Sequence, residues 1–170
     1  MDYLELQDLL NFVGEQVLPN SNLTLLGGGA LILLGNSRHT ADIDIVGDDI
    51  NPSPLHRQII QVAKEKNILI DIVPIERFIP LPQGSDQRVI PIAQFGNLNI
   101  FVADPYSIAL SKVDRGLDND YADIEFLIEN NHITLKTLET IVQNAAAKAG
   151  KHDLNPDILN HLQELKLKLK

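Results

Sequence analysis

The chain predicts an α/β (α+β) fold: an α/β part over residues 1–103, then a purely helical region over 104–170, the two joined without a flexible linker. Three observations carry that expectation. "ADIDIVG" and "ILIDIVPI" each read as a short strand, with a capped helix between them. "NLTLL" is a buried strand that ends directly on three glycines. From Asp104 onward the apolar residues recur only at helical spacing.

Taken in order, residues 2 to 17 place Leu4, Leu6, Leu9, Leu10, Phe12, Val13 and Val17 at mostly three- and four-residue steps, which is an amphipathic helix that Pro19 stops. "GALILLG" is too short and too apolar for its period to separate strand from helix, and its context favours one or two buried helical turns. In "ADIDIVG" the alternation is strict. Side chains of a strand have period two, so Ile43 and Ile45 share one face while Asp42 and Asp44 share the other. Ser53 caps the next helix and Pro54 opens it. "RVIPIAQF" and "LNIFVA" form a hairpin whose Pro91 belongs on a sheet edge. The turn-rich "RFIPLPQGSDQ" before it is long enough to be a lid. Beyond it, Asp104 caps a helix that Gly116 closes. "NDYADIEFLIENN", "TLKTLETIVQNAAAKAG" and "NPDILNHLQELKLK" follow as three more.

Composition narrows the function. A net charge of −9 and a pI near 4.9 argue against broad, sequence-independent binding to a nucleic-acid backbone. The three lysines of the terminal "KLKLK" read as compensation of a helix dipole. With no cysteine there is neither a disulfide framework nor a thiol nucleophile. The histidines show no metal-ligand spacing. The absence of a signal-peptide pattern and of a long apolar run leads to the expectation of a cytoplasmic protein with no membrane contact.

Asp42 and Asp44 raise the question of why an apolar strand carries two carboxylates on one face. Such a pair can share divalent cations, and Mg²⁺ prefers one or two carboxylates plus substrate phosphates to an all-protein cage. Two-metal phosphoryl or nucleotidyl transfer needs a third carboxylate near the nucleophile. Asp71, on a second apolar strand expected beside the first, is the candidate. Gly27, Gly28 and Gly29 would let the backbone approach a triphosphate. Asp48 and Asp49 follow Gly47 at a strand end and read as turn residues.

"GGGA", its spacer and "DID" resemble the signature of the DNA polymerase β-like nucleotidyltransferase superfamily. "GGGALILLGNSRHTADIDIV" together with "DPYSIALSKVDRGLDNDYADIEFL" is similar to its small prokaryotic branch related to abortive-infection toxin nucleotidyltransferases, over residues 23 to about 130. The resemblance implies a mixed, twisted sheet flanked by helices, and a Mg²⁺ (or Mn²⁺) enzyme that moves a nucleoside monophosphate from a nucleoside triphosphate such as ATP to an acceptor hydroxyl. It implies that Asp42, Asp44 and Asp71 bind metal, with Asp71 also the base for the nucleophile. Gly27, Gly28 and Gly29 would cradle phosphates, Arg38 and Thr40 would sit at the nucleotide, and Lys112 would meet phosphate. Arg115, Asp120 and Asp123 would support the site. Many relatives carry serine after the first glycine, where this chain has glycine and would rely on backbone donors. The acceptor is left open among RNA, protein and small molecule, and a cognate antitoxin or toxin is an expected partner.

Blander readings stand beside these. Lys112 and Arg115 share a helix face and could be a solvated basic face paired with Asp120 and Asp123 at the surface. The whole chain could be a catalytically weak nucleotide- or partner-binding module of the same fold, or an antibiotic-type small-molecule nucleotidyltransferase.

Overall fold

The computed structural model describes residues 1–170. Its chain divides into two units: Met1–Pro74 with Val89–Ala103, and Ile75–Arg88 with Asp104–Lys170.

The first unit is built on a five-stranded mixed sheet. Helix α1 (Tyr3–Gly14) leads into β1 (Ser21–Leu26), helix α2 (Gly27–Leu33), β2 (Asp42–Val46), helix α3 (Pro54–Glu65), β3 (Leu69–Val73), β4 (Ile90–Phe95) and β5 (Leu98–Val102). The strand order is β3-β2-β1-β5-β4. β2 and β3 run parallel, as a strand pair joined by a crossover helix must, while β1 meets β2 antiparallel and β5 parallel. β4 and β5 form the expected antiparallel hairpin. β4 is an edge strand with an irregularity between Pro91 and Ala93, a placement that spares the ladder a missing donor.

The core follows from the alternation. Ile45 pairs with Leu25, and Leu25 with Val102, a row of fully buried side chains across three strands. Leu23, Ile43, Leu98 and Ile100 extend it, each contributing roughly 1.5–3 kcal/mol by burial. The helices flank this sheet: α1 closes over α2, α3 and the β4–β5 hairpin, with Leu6, Leu9, Leu10 and Val13 inward. Asp2 caps α1 in a reciprocal box with Glu5, and Ser53 caps α3 through the His56 amide. "GALILLG" resolves as helix, so the glycines open α2.

The second unit is helical. It holds the short α4 (Ile75–Phe78), a 3₁₀ turn at Ser85–Arg88, then α5 (Pro105–Arg115), α6 (Asp118–Glu129), α7 (Leu135–Ala146) and α8 (Ile158–Lys168). α5 is its centre and packs against α6, α7 and α8 with Ile108, Ala109, Leu110 and Val113 buried. Asp104 caps α5 and Gly116 ends it. β3 stops at Val73, and Ile75 begins a helical turn instead of prolonging the strand, because Pro74 offers no ladder donor. No helix is long and apolar enough to cross a membrane.

Candidate active site

Pairing of β2 with β3 sets the geometry in the first unit. Asp44 stands opposite Asp71 in register, with Ile43 opposite Ile70 and Ile45 opposite Ile72. Side chains opposite each other in a ladder lie on the same sheet face, so Asp42, Asp44 and Asp71 share the face turned away from Ile43 and Ile45. Asp42 and Asp44 are half-buried and Asp71 is exposed. On β1, the residue opposite Asp44 is Leu26, immediately before the glycines. The strand neighbour expected for Asp71 is therefore the one observed.

The glycines lie where β1 turns into α2. Gly27 has φ +63°, a left-handed conformation that only glycine takes without strain. A Cβ there would overlap the Asp44 carboxylate, so the site's aspartate sits directly on the Gly27 backbone. Gly28 and Gly29 are buried. A Cβ on Gly28 would stand 2.5 Å from Thr40 Oγ1 and 3.6 Å from the Arg38 guanidinium carbon, whereas one on Gly29 would meet the core side chains Leu25 at 3.4 Å and Ile43 at 3.9 Å. Arg38 and Thr40 thus lie beside Gly28. Thr40 is 7% exposed, and its hydroxyl lies 3.1 Å from the Asp42 carbonyl and 3.2 Å from Asp42 Oδ1. Arg38 donates through its amide to the Asn36 side chain and through Nε to the His39 carbonyl. Asp48 makes the expected turn, its Oδ1 accepting from the amides of Ile50 and Asn51.

The donor set is all carboxylate and hydroxyl oxygen, the chemistry of Mg²⁺ or Mn²⁺ and not of zinc. No group of three or more His, Cys, Asp or Glu side chains forms a ready cage for a metal ion. Asp42 and Asp44 are the residues of this face that could hold such a cation, with phosphate oxygens of a ligand completing its shell.

The remaining sequence-predicted residues lie in the second unit, which has its own charge network. Lys112 is only 3% exposed, and its Nζ donates to Asp123 Oδ2 at 2.6 Å and to Asp120 Oδ1 at 3.2 Å. Arg115 is largely exposed and reaches Asp120 with Nε at 3.2 Å and Nη2 at 2.5 Å. Lys112 is therefore not part of a solvated basic face: its ammonium is enclosed by two buried aspartates. Arg88 and Asp104 form a second clamp. Arg88 donates from Nε and Nη2 to both Asp104 oxygens at 2.7 and 3.0 Å, and from Nη1 to the Gln83 carbonyl at 2.8 Å. Asp104 also accepts from the amides of Tyr106 and Ser107 and from the Ser107 hydroxyl. Sequence reading took Asp104 as a cap and missed Arg88 altogether. The end of the turn-rich segment read as a lid is thereby fastened to the start of α5.

The chain belongs to the family described as "Nucleotidyltransferase of unknown function (DUF6036)", whose profile matches residues 4–166. No curated protein and no solved structure matches it. Nucleotidyl transfer is thus the activity class of the family, and the mixed α/β architecture is the one the resemblance implied.

Proposed function

We propose that the protein is a Mg²⁺- or Mn²⁺-dependent nucleotidyltransferase that moves a nucleoside monophosphate from a nucleoside triphosphate to an acceptor hydroxyl. One observation carries it: Asp42, Asp44 and Asp71 share one sheet face, with Asp44 and Asp71 in register and Asp44 seated on the glycine turn. Asp42 and Asp44 would hold the metal, which when bound neutralises the triphosphate and lowers the pKa of the attacking hydroxyl. Asp71, exposed on the same face, would take the proton of that hydroxyl as its oxygen bonds to the α-phosphorus, while the bond to pyrophosphate breaks and pyrophosphate leaves. Gly27 and Gly28 keep side chains away from Asp44 and Arg38, Gly29 continues the turn on its core side, and Arg38 supplies a cation for the phosphates. A protein side chain or a small molecule would offer that hydroxyl. The net charge of −9 favours those acceptors over an RNA backbone.

The test is a calorimetric titration of each ribonucleoside triphosphate, with and without Mg²⁺, into wild type and into Asp42→Asn/Asp44→Asn. Metal-dependent binding by wild type, reduced at least a hundredfold in the double variant, is the expected result. Equal binding by both proteins would remove these aspartates from the site. Expression of the same two proteins in cells separates a growth-arresting toxin, which the resemblance implies, from a transferase harmless to its host.

A further inference from the structure

Thr40 was expected at the nucleotide, yet its hydrogen bonds point elsewhere. A threonine hydroxyl has a single proton to donate. Here that proton faces two acceptors of one residue, the Asp42 carbonyl at 3.1 Å and the Asp42 carboxylate at 3.2 Å. A phosphate is an acceptor too, so a hydroxyl committed to Asp42 has nothing left to give it. The backbone of Thr40 is fixed as well: its amide donates to the Met1 carbonyl at 3.0 Å, and its own carbonyl accepts from the Met1 ammonium at 2.6 Å.

Gly28 explains how the threonine fits. It is buried, its φ is not positive, and nothing in its conformation demands glycine. What demands it is space. A Cβ would come within 2.5 Å of Thr40 Oγ1 and 2.9 Å of Thr40 Cβ, closer than real Cβ atoms approach their neighbours.

We propose that Thr40 is a positioning residue, which holds the Asp42 carboxylate in its metal-facing orientation, and that residue 28 is glycine so that Thr40 can reach it. The role of Thr40 in metal binding rests on the nucleotidyl-transfer reading; the orientation of Asp42 does not. The first two glycines then serve the aspartates as much as any phosphate: Gly27 makes room for the Asp44 carboxylate and Gly28 for the hydroxyl that aims Asp42. Partners that orient a metal ligand in this way typically change metal affinity by roughly ten- to a hundredfold when removed.

The experiment compares wild type, Thr40→Val, Thr40→Ser and Asp42→Asn/Asp44→Asn by two readouts. The first is the Mg²⁺ concentration for half-maximal binding of the ribonucleoside triphosphate that wild type prefers. The second is a high-resolution, metal-free structure of wild type and of Thr40→Val. Valine keeps the shape of threonine and loses the proton, so it should raise the half-maximal Mg²⁺ at least tenfold and leave the Asp42 carboxylate in more than one orientation. Serine should restore both. Binding by Thr40→Val at the wild-type Mg²⁺ requirement, or an equal loss in Thr40→Ser, would overturn the proposal, as would one unchanged Asp42 orientation in both structures. If Asp42→Asn/Asp44→Asn binds like wild type, the nucleotidyl-transfer reading fails. The Asp42 orientation in the two structures still decides what Thr40 does.

Discussion

Both units of the molecule place aspartates among apolar residues, and they treat them in opposite ways. In the helical unit, Asp104, Asp120 and Asp123 are almost wholly buried, and cations or backbone donors of the same unit surround them. In the sheet unit, Asp42, Asp44 and Asp71 keep contact with solvent on a face that turns away from the core. A carboxylate taken out of water must be compensated inside the fold or it costs several kcal/mol. One left at the water boundary stays available to an ion brought by a ligand. The contrast separates aspartates paired inside the fold from those that the proposed transfer reaction would use, although the two sets are alike in sequence.

The comparison breaks first at Lys112. Its replacement by Met removes the ammonium from between two buried aspartates, and the expected destabilisation is about 3–5 kcal/mol, measured by urea unfolding. Adding Asp123→Asn to that variant should recover part of the loss. Asp104→Ala is next: it removes an N-cap and a partly buried bidentate ion pair, for a loss of about 2 kcal/mol, moderated because Arg88 is one-third exposed and can turn to water. In the sheet unit the same kind of change should behave otherwise. Asp42→Asn/Asp44→Asn should stay within ~1 kcal/mol of wild type in urea while losing metal-dependent nucleotide binding. A large destabilisation there would make those aspartates structural and erase the contrast.

How much of this could be read from the sequence depends on whether the signal was local. β2 was legible because strict alternation over five residues has no helical counterpart, and α3 because Ser53 and Pro54 mark its start chemically. The adjacency of Asp44 and Asp71 followed from two apolar strands joined by one crossover helix. Burial of Lys112 was not legible. Lys112 and Arg115 stand three apart on α5, and Asp120 and Asp123 stand three apart on α6, a pattern that an exposed charged face would show equally. Only the packing of α5 on α6 decides which side is wet. Arg88 and Asp104 likewise meet although they stand 16 positions apart in the chain, and no spacing rule joins them. The bond from the Thr40 hydroxyl to Asp42 was not legible either, because a hydroxyl's partner is set by geometry that a spacing pattern does not contain.

The smallest effect concerns a polar atom that neither unit's rule covers. His56, one turn into α3, lays its ring against Gly47 at the far end of the aspartate strands, and its buried Nδ1 has no hydrogen-bond partner. Burial lowers its pKa from the ordinary 6.5, since the charged form loses water and gains nothing in return. The unfolded chain therefore binds the proton more readily than the folded one. The contribution of His56 is fully present above pH 6.5 and is lost as pH falls from there through the lowered folded value. Urea midpoints between pH 7.5 and 5 should decline less steeply in His56→Phe than in wild type, by a fraction of the wild-type slope because the ring is only part-buried. Parallel slopes would mean that the folded protein accommodates the imidazolium at Gly47. Tolerance of uncompensated charge would then extend along the aspartate strands beyond the candidate site, and exposure of Asp42, Asp44 and Asp71 would no longer single them out.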